Sequence, residues 1–493
     1  MKAKTLRLIC WIFAAAFAML TLQACPEVEP EPDPEPDPAK TDPDRLAKDY
    51  LRTQYMDVYY YWRDEVKKHN DALDPAKYDI YDFFDEMLYK DDRWSWMCDK
   101  DYYVSDETGV VTGTWGISLA QAVEYYGDYG LRVRYVYPGS PLEQFGVTRG
   151  AVLTKLNDFS VAFDETGFGA DKLNYFQQNY YTSPLKMTFR LADGRDTTFT
   201  ATMAASLATR PGLMKKIFQP SDFEGLTRPV GYFHYLAFKA NFLDDITDAM
   251  EYFYDNGVHD LIVDLRYNGG GDSRASDLLI SYLAPKDADK KTYVVRNHSS
   301  YLASLDDSFS DEANTNKIER KAKSLDLDHI YFITGAGSAS ASEMVMNGLK
   351  PYMGDKQQMV GDTTYGKPNG MYVLMYPGTN QDYQAYNQGD YTNLKWVFLP
   401  ICFFNQNSLG QNIPVDGFIP DNYRPDDLYH DFGVEESDIR ACLTHLVTGS
   451  FPALDSKPVV KSLPVSHRNG GYRIELEEDK PNYGTYTVRR SDF

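Results

Sequence analysis

The chain has 493 residues, with 50 Lys or Arg against 72 Asp or Glu, so its formal net charge is -22. This length allows several domains, and a content of 43% hydrophobic and 14% aromatic residues excludes a disordered chain. The acidity argues against a nucleic-acid partner, because phosphate contacts need clustered basic side chains. Five cysteines in this length exclude a disulfide-rich scaffold.

Residues 1–24 predict a secretory signal peptide. Basic residues precede an apolar run from Leu8 to Leu20, which is short for a membrane-spanning helix. The run leads through Leu-Gln-Ala to Cys25, an ending that resembles a bacterial lipobox. The resemblance implies that Cys25 is lipidated and holds the protein at the outer membrane of a Gram-negative cell envelope. The alternative is an uncleaved anchor with an incidental cysteine.

Residues 25–44 predict a tether, because proline alternates with acidic residues over most of 26–38. Proline restricts φ and the like charges repel each other, so this segment is expected to be extended and to hold a folded body away from a membrane. Acidic residues after a lipidated cysteine also resemble the surface-export signals of some Gram-negative lipoproteins. A periplasmic and a surface-exposed location therefore both stay open.

Residues 45–101 predict a helical domain. Apolar and aromatic residues recur at three- and four-residue spacings from Leu46 to Trp62. The pair Asp74-Pro75 predicts a break, and a second helix is predicted from Tyr81 to Tyr89. We interpret the aromatic side chains as core residues and predict no catalytic grouping in this segment.

Residues 102–207 change to short strands and turns. Strands are predicted at 130–136 and 150–156, with Gly-Ser-Pro at 139–141 and a short helix that ends at Gly146. This order resembles a PDZ domain, although Ala151 stands where that pattern usually has Asp. The resemblance implies a loop whose backbone N–H groups bind the C-terminal carboxylate of a peptide, formed by Gly116, Ile117, Ser118 and Leu119. The alternative is a small β-domain that only packs.

Residues 208–449 predict an α/β domain. Strands are predicted at 230–238, 261–265, 330–334 and 359–361, with an amphipathic helix at 242–256. Alternating strands and helices predict a sheet layered with helices. The remaining residues, 450–493, predict a β-hairpin of unknown role, with strands at 472–476 and 485–488.

Three short motifs in the α/β segment have the composition of functional loops. Residues 264–271 read Asp-Leu-Arg-Tyr-Asn-Gly-Gly-Gly, and such glycines expose N–H groups that hold a phosphate or an oxyanion. The Gly-Lys-Ser/Thr of a P-loop is missing. Residues 337–343 read Gly-Ser-Ala-Ser-Ala-Ser-Glu, where a serine either caps a helix or is a nucleophile. Residues 364–370 place Lys367 in a loop.

Together the three motifs resemble those of the C-terminal processing peptidases, also called tail-specific proteases, and the order of segments agrees over about 45–445. The resemblance implies an α/β multi-domain fold whose layered core is of the ClpP/crotonase type, and it implies hydrolysis of polypeptides. It implies that Ser340 is the nucleophile and Lys367 the general base. It further implies an oxyanion hole formed by the N–H of Ala341 and of a glycine in 269–271, with Gly269 ahead of Gly270.

The implied mechanism requires a neutral lysine side chain. Lysine takes a serine proton only when it is neutral, so its pKa of about 10.4 must fall toward 7–8. Burial can supply the roughly 4 kcal/mol that this shift represents. The lysine would then return the proton to the leaving amine, and water would hydrolyse the acyl-enzyme.

Two departures from the family pattern affect the proposed base. Met371 stands four residues after Lys367, where many members have a glutamine that orients the lysine. The spacing from Ser340 to Lys367 is also two residues longer than usual, which an insertion around 355–358 would explain. A peptide-binding lipoprotein with a protease fold and little or no activity therefore stays open as the alternative function.

The remaining polar residues predict neither a metal site nor a cofactor. The chain lacks His-x-x-x-His and Cys-x-x-Cys spacings, so zinc is unsupported. We interpret His234 as a buried structural histidine, Asp272 as a helix cap, and Glu343 as either a cap or a partner of Lys367. The 39 Tyr and 6 Trp are dispersed along the chain, which disfavours a glycan-binding lipoprotein. Whether any disulfide forms stays open.

Overall fold

A computed structural model describes residues 42–121, 130–162 and 169–454. The α-helices are Arg45–Tyr50 (α1), Met56–Tyr59 (α2), Arg63–Ala72 (α3), Ile80–Glu86 (α4), Lys100–Thr108 (α5), Ala170–Asn179 (α6), Leu243–Asp255 (α7), Ser273–Leu283 (α8), Ser300–Leu305 (α9), Ala341–Met353 (α10), Asn380–Tyr386 (α11) and Ser437–Thr448 (α12). The predicted signal peptide, the Cys25 lipidation site and the C-terminal hairpin lie outside the described residues.

The strands of the described ranges form several sheets. They are Trp96–Asp99 (β1), Val110–Val111 (β2), Ile117–Gln121 (β3), Leu131–Val136 (β4), Val152–Leu156 (β5), Phe159–Ser160 (β6), Leu185–Arg190 (β7), Asp196–Ala201 (β8), Leu207–Ala208 (β9), Gly212–Phe218 (β10), Val230–Tyr235 (β11), Asp260–Asp264 (β12), Thr292–His298 (β13), Thr315–Lys317 (β14), His329–Thr334 (β15), Gln357–Gly361 (β16), Asn369–Met371 (β17), Leu374–Tyr376 (β18), Trp396–Leu399 (β19), Ile401–Gln406 (β20) and Asn422–Tyr423 (β21).

The central sheet is layered between helices, as the sequence predicts. Its strands lie in the order β10-β11-β12-β15-β16-β21, and all except β10 run parallel to their neighbours. Helices α7, α8 and α10 bury their apolar side chains on one face of the sheet, and α12 packs on the other. Parallel strands must be covered on both faces, which explains the continuous apolar runs that predicted them. The fold is α/β.

A second, antiparallel sheet follows the order β3-β4-β5-β7-β8 and has its own core with α6. The strands predicted at 130–136 and 150–156 are present as β4 and β5. The predicted short helix is a 3-10 turn over Glu143–Phe145, ended by Gly146 at φ +79°. Helix α6 and strands β7 and β8 were not predicted.

The N-terminal helices share one core with strands from the far end of the chain. Leu51, Phe83 and Phe84 pack in a single cluster with Leu374 of β18 and Phe398 of β19. Strand β1 pairs with β19 in the three-stranded sheet β1-β19-β18. This packing brings the turn between α4 and β1 into contact with Gly366, which directly precedes Lys367. Helix α5 continues past residue 101, where the sequence predicted a change to strands.

A buried ionic cluster joins the antiparallel sheet to the α/β core. Arg266 donates to Asp264 at 2.7 Å and to Asp426 at 3.1 Å, and two further carboxylates of the cluster are Glu436 and Asp438. Arg149, from the turn before β5, donates to Asp426 at 2.8 Å. Burial opposes ionisation of Asp426, but the two guanidinium groups hold its pKa below the ordinary value.

Three features of the described ranges concern membrane spans, disulfides and metal sites. No helix there is long and apolar enough to cross a membrane. Cys98, Cys402 and Cys442 are buried with free thiols, so they form no disulfide with one another. In the same ranges, no group of three or more His, Cys, Asp or Glu side chains is arranged to hold a metal ion.

Candidate active site

The three predicted motifs meet at one edge of the central sheet. They follow β12, which ends at Asp264, β15, which ends at Thr334, and β16, which ends at Gly361. These three strands are parallel neighbours, so their carboxyl ends lie side by side. Ligands of open α/β sheets bind at this edge, because the loops that leave it converge there.

Ser340 occupies a strained turn directly before α10. Its φ is +56°, which is rare for a residue with a side chain and recurs at functional sites. Gly270 packs against it: a Cβ on Gly270 would lie 2.7 Å from Ser340 Cβ and 2.8 Å from the carbonyl oxygen of Ala339. The glycine-rich motif therefore approaches the serine turn as closely as a bare backbone allows.

The other two serines of the motif hold the turn in place. The Asn268 carbonyl accepts from the Ser342 hydroxyl at 2.9 Å and from the N–H of Ala339 at 3.1 Å. The Ser338 hydroxyl donates to the carbonyl of Leu265 at 2.8 Å. Both serines thus bind the loop that follows β12, which leaves Ser340 as the serine at the apex of the turn.

The structure changes the predicted set of oxyanion donors. The N–H of Gly270 donates to Asn268 Oδ1 at 2.9 Å, so the prediction of Gly270 as a donor is wrong in this conformation. Within the described ranges, the N–H groups of Gly269, Gly271 and Ala341 donate to no acceptor. Ala341 is the first residue of α10, where the helix dipole favours a negative charge. Ala341 and a glycine other than Gly270 stay the candidates.

Lys367 has the environment of a neutral lysine. Its side chain is buried, with 1% of the residue exposed, and Nζ lies 3.6 Å from Met371 Sδ. Burial lowers the pKa of Lys367 to about 7, while the charges of Asp92 and Glu343 oppose this shift. A base with this pKa can accept a proton near neutral pH. Met371, which replaces the family's glutamine, offers only a weak thioether acceptor.

Glu343 connects the turn at Ser340 (the serine turn) to the loop over residues 364–370 (the lysine loop). Its Oε2 accepts from the N–H of Ser340 at 2.9 Å and from that of Lys367 at 2.8 Å. Its Oε1 accepts from the Thr364 hydroxyl at 2.6 Å and from the N–H of Gly366 at 2.7 Å. Burial raises the pKa of Glu343, and these four donors oppose the rise. Glu343 therefore caps α10, as one of the two open interpretations held, and also binds the main chain at Lys367.

A turn of the N-terminal segment also reaches the lysine loop, which the sequence did not predict. Trp94 Nε1 donates to the carbonyl of Gly366 at 3.2 Å, and Arg93 Nη2 donates to the same oxygen at 3.3 Å. The available signal is the dense mixture of charged and indole side chains in 91–96, although the aromatic residues by themselves favour core packing. Only the fold shows that this turn contacts the third motif.

The segment predicted to be a carboxylate-binding loop is mostly a strand. Ile117, Ser118 and Leu119 have buried side chains in β3, whose backbone pairs with β4. Gly116 precedes the strand at φ +65°, and its N–H donates to Thr114 Oγ1 at 3.0 Å. The loop assignment is therefore wrong from Ile117 onward, because strand pairing uses this backbone. Peptide binding by the segment stays a prediction.

Two further interpretations can be compared with the structure. His234 is fully buried in β11 with its ring centroid 4.5 Å from that of Phe432, and burial lowers its pKa to about 4. It is therefore a neutral core histidine near neutral pH, as interpreted. Asp272 caps α8 by accepting from the N–H of Arg274 at 2.8 Å, which confirms the predicted cap.

Comparison with known proteins agrees with this site. Residues 229–393, which contain all three motifs, match the model of peptidase family S41. A protein described as an S41 protease from Bacteroides fragilis shares the fold, with a TM-score of 0.61 and 21% identity over 85% of this chain and 99% of that one. These findings confirm the predicted resemblance to S41 peptidases, the family of the C-terminal processing peptidases.

More distant structures are also similar. The photosystem II D1 C-terminal processing protease has a TM-score of 0.43 and 16% identity, over 78% of this chain and 93% of that one. A peptidase described from Parabacteroides merdae has a TM-score of 0.33 and 17% identity, over 48% of this chain and 66% of that one. No curated protein sequence is significantly similar to the chain.

Proposed function

We propose, from the S41 match of the segment that contains Ser340 and Lys367, that the protein is a serine endopeptidase with these two residues as nucleophile and general base. The observation that carries the proposal is the burial of Lys367 next to the serine turn, to which Glu343 joins its main chain. Burial lowers the pKa of Lys367 to about 7, so a neutral amine is accessible near neutral pH, as the chemistry needs.

The proposed reaction has two steps. Neutral Nζ of Lys367 takes the Ser340 hydroxyl proton while Oγ bonds to the carbonyl carbon of the substrate, and the oxyanion accepts from Ala341 N–H and from a glycine N–H. Nζ then protonates the leaving amine as the C–N bond breaks. Water attacks the acyl carbon, its proton passes to Nζ, and the acid product leaves as Ser340 Oγ regains a proton.

The proposed substrates are C-terminal or unfolded segments of polypeptides. Support comes from β3, which is the terminal strand of the antiparallel sheet, although Ile117, Ser118 and Leu119 are fully buried, so a peptide would pair there only after the outer edge is uncovered. Such an edge can pair with an extended peptide, whose main chain supplies hydrogen bonds without strict sequence requirements. Recognition by this PDZ-like sheet would bring a substrate to the protease core.

The proposed location is the cell envelope. Support comes from the sequence alone, in the apolar signal run, Cys25 and the acidic proline-rich tether. Labelling with a palmitate analogue in the native bacterium should modify the wild-type protein and leave Cys25→Ala unmodified.

The test of the proposed function is cleavage of casein by the folded body of the protein. Ser340→Ala and Lys367→Ala should each lower the rate by at least about 1000-fold without loss of folding. Lys356→Ala, which removes an exposed lysine just before β16, is the matched control and should cleave like wild type. Cleavage at the wild-type rate by either active-site variant would refute the dyad. A wild type that binds peptides without cleaving them would favour the binding-lipoprotein alternative.

A further inference from the structure

The turn over residues 92–95 is built around a buried carboxylate. Asp92 is 2% exposed, and its Oδ1 accepts from the N–H groups of Trp94 and Ser95, each at 2.9 Å. Its Oδ2 accepts from the Tyr60 hydroxyl at 2.8 Å and the Ser95 hydroxyl at 2.6 Å. Ser95 Oγ in turn accepts from the N–H of Ile401 at 2.9 Å, so the turn is also attached to β20.

This turn and Glu343 of α10 bind opposite sides of the peptide group between Gly366 and Lys367. The carbonyl oxygen of Gly366 accepts from Trp94 Nε1 and Arg93 Nη2, as described above. The N–H of the same peptide group, which belongs to Lys367, donates to Glu343 Oε2. The main chain leading to the Lys367 side chain is therefore fixed by two elements that are distant in sequence.

The charges of two carboxylates, Asp92 and Glu343, oppose the fall in the pKa of the buried Lys367. Each oxygen of Glu343 already accepts from two donors at the serine turn and the lysine loop. Two other titratable groups interact with Asp92, namely Tyr60 and Cys402, and Glu65 lies beyond Tyr60. Burial raises the pKa of Tyr60 and of Cys402, so neither side chain is charged near neutral pH. Asp92 is thus the carboxylate of the N-terminal segment whose charge acts on Lys367.

We propose that Asp92 is a positioning residue for the general base: its turn fixes the backbone before Lys367, and its charge stabilises the protonated lysine that forms during acylation. The N-terminal helical segment would then supply the partner that the family's glutamine provides elsewhere and that Met371 cannot. This inference rests on the proposed function of Lys367.

The direct test is the pH dependence of kcat/KM for Asp92→Asn. This change removes the negative charge of Asp92 and keeps the shape of its side chain, so the neutral form of Lys367 becomes more favourable. The acid limb of the kcat/KM profile, where activity falls as the lysine is protonated, should therefore move to lower pH by about one unit. Asp91→Asn is the matched control, because Asp91 is an exposed neighbour paired with Lys90, and its profile should equal that of wild type. An unshifted limb in Asp92→Asn, or an equal shift in Asp91→Asn, would overturn the proposal.

Two variants separate charge from geometry and keep the test valid if Asp92→Asn fails to fold. Trp94→Phe removes one donor to the Gly366 carbonyl and no charge, so kcat should fall several-fold while the acid limb stays in place. Tyr60→Phe keeps the carboxylate and removes one of its donors, so the limb should stay or move to higher pH. A downward shift in Tyr60→Phe, or an unchanged kcat in Trp94→Phe, would contradict the proposed role of the turn.

A substrate-free measurement distinguishes this inference from the proposed function. Competitive acetylation of Lys367 with acetic anhydride, followed by peptide mass spectrometry in a Ser340→Ala background, reports the titration of the lysine directly. The midpoint should be lower with Asp92→Asn than without it. Serine-dependent cleavage with an unshifted midpoint would overturn only the role of Asp92, whereas a shifted midpoint without any cleavage would overturn only the peptidase.

Discussion

At the residue scale, the burial of Lys367 has a consequence for stability as well as for chemistry. Its pKa falls from an ordinary 10.5 to about 7 in the folded protein. Between these values the unfolded chain binds the proton and the folded protein does not, so the free energy of unfolding rises with pH through this window. Near neutral pH the buried lysine therefore destabilises the fold, by about 4 kcal/mol for a shift of this size.

We expect Lys367→Met to stabilise the protein while abolishing activity. The free energy of unfolding should rise by roughly 2–4 kcal/mol near neutral pH, with a smaller gain at about pH 10, because methionine carries no charge to desolvate. Urea unfolding at the two pH values measures both effects. Lys356→Met, at an exposed lysine, should change stability by less than about 0.5 kcal/mol. A destabilised Lys367→Met would argue that the buried lysine is charged and paired.

At the scale of elements, the site depends on a close approach between two loops. Gly270, at φ +108°, lies after β12, and Ser340 lies before α10. Asn268 and Glu343 then tie these loops to each other and to the loop after β16. Small backbone shifts at this junction would separate the proposed nucleophile from the proposed base, and a misplacement of about 1 Å between reacting groups costs about 100-fold in rate.

Gly270→Ala tests this junction. The new Cβ would overlap Ser340 Cβ and the Ala339 carbonyl, so kcat should fall by at least about 100-fold. Gly337→Ala is the matched control in the neighbouring motif, because a Cβ there meets nothing within 4 Å, and it should retain activity. Casein cleavage, with circular dichroism to verify folding, makes the comparison. Equal activity of the two variants would show that the approach is dispensable.

At the scale of the whole molecule, Arg149 connects the antiparallel sheet to the α/β core. Its guanidinium donates to Asp426, to the Tyr267 hydroxyl at 2.9 Å and to the carbonyl of His430 at 3.0 Å. Because the folded pKa of Asp426 is depressed, the stability from this pair is present above the ordinary carboxyl pKa of 3.8. It is lost as the pH falls through the lower folded value.

We expect Arg149→Met to destabilise the protein by about 3 kcal/mol, because it leaves buried acceptors without their donor. Urea unfolding near neutral pH measures the change. Arg195→Met, on the turn between β7 and β8, is the matched control, since Arg195 is exposed and pairs with nearby Asp193. The difference between wild type and Arg149→Met should shrink in acid. A pH-independent difference would assign the effect to packing instead of charge.

The fold was predictable where one pattern dominates a segment. The apolar runs of β11, β12 and β15 and the amphipathic face of α7 identify buried parallel strands and a covering helix. Helix α6 was missed because weak amphipathicity left it indistinct in a strand-rich segment. The edge strand β3 was mistaken for a loop because strand pairing depends on a partner that the local sequence does not specify.

By itself, the sequence determined the α/β class and the three motifs, because local composition and spacing carry that information, and the resemblance of the motifs to the C-terminal processing peptidases supplied the two residues proposed as nucleophile and base. Tertiary structure decided the rest. Only packing buries Lys367 and lowers its pKa, and only the shared core places the turn that contains Asp92 beside the lysine loop. Burial and long-range hydrogen bonds depend on residues hundreds of positions apart, so no local pattern could have predicted them.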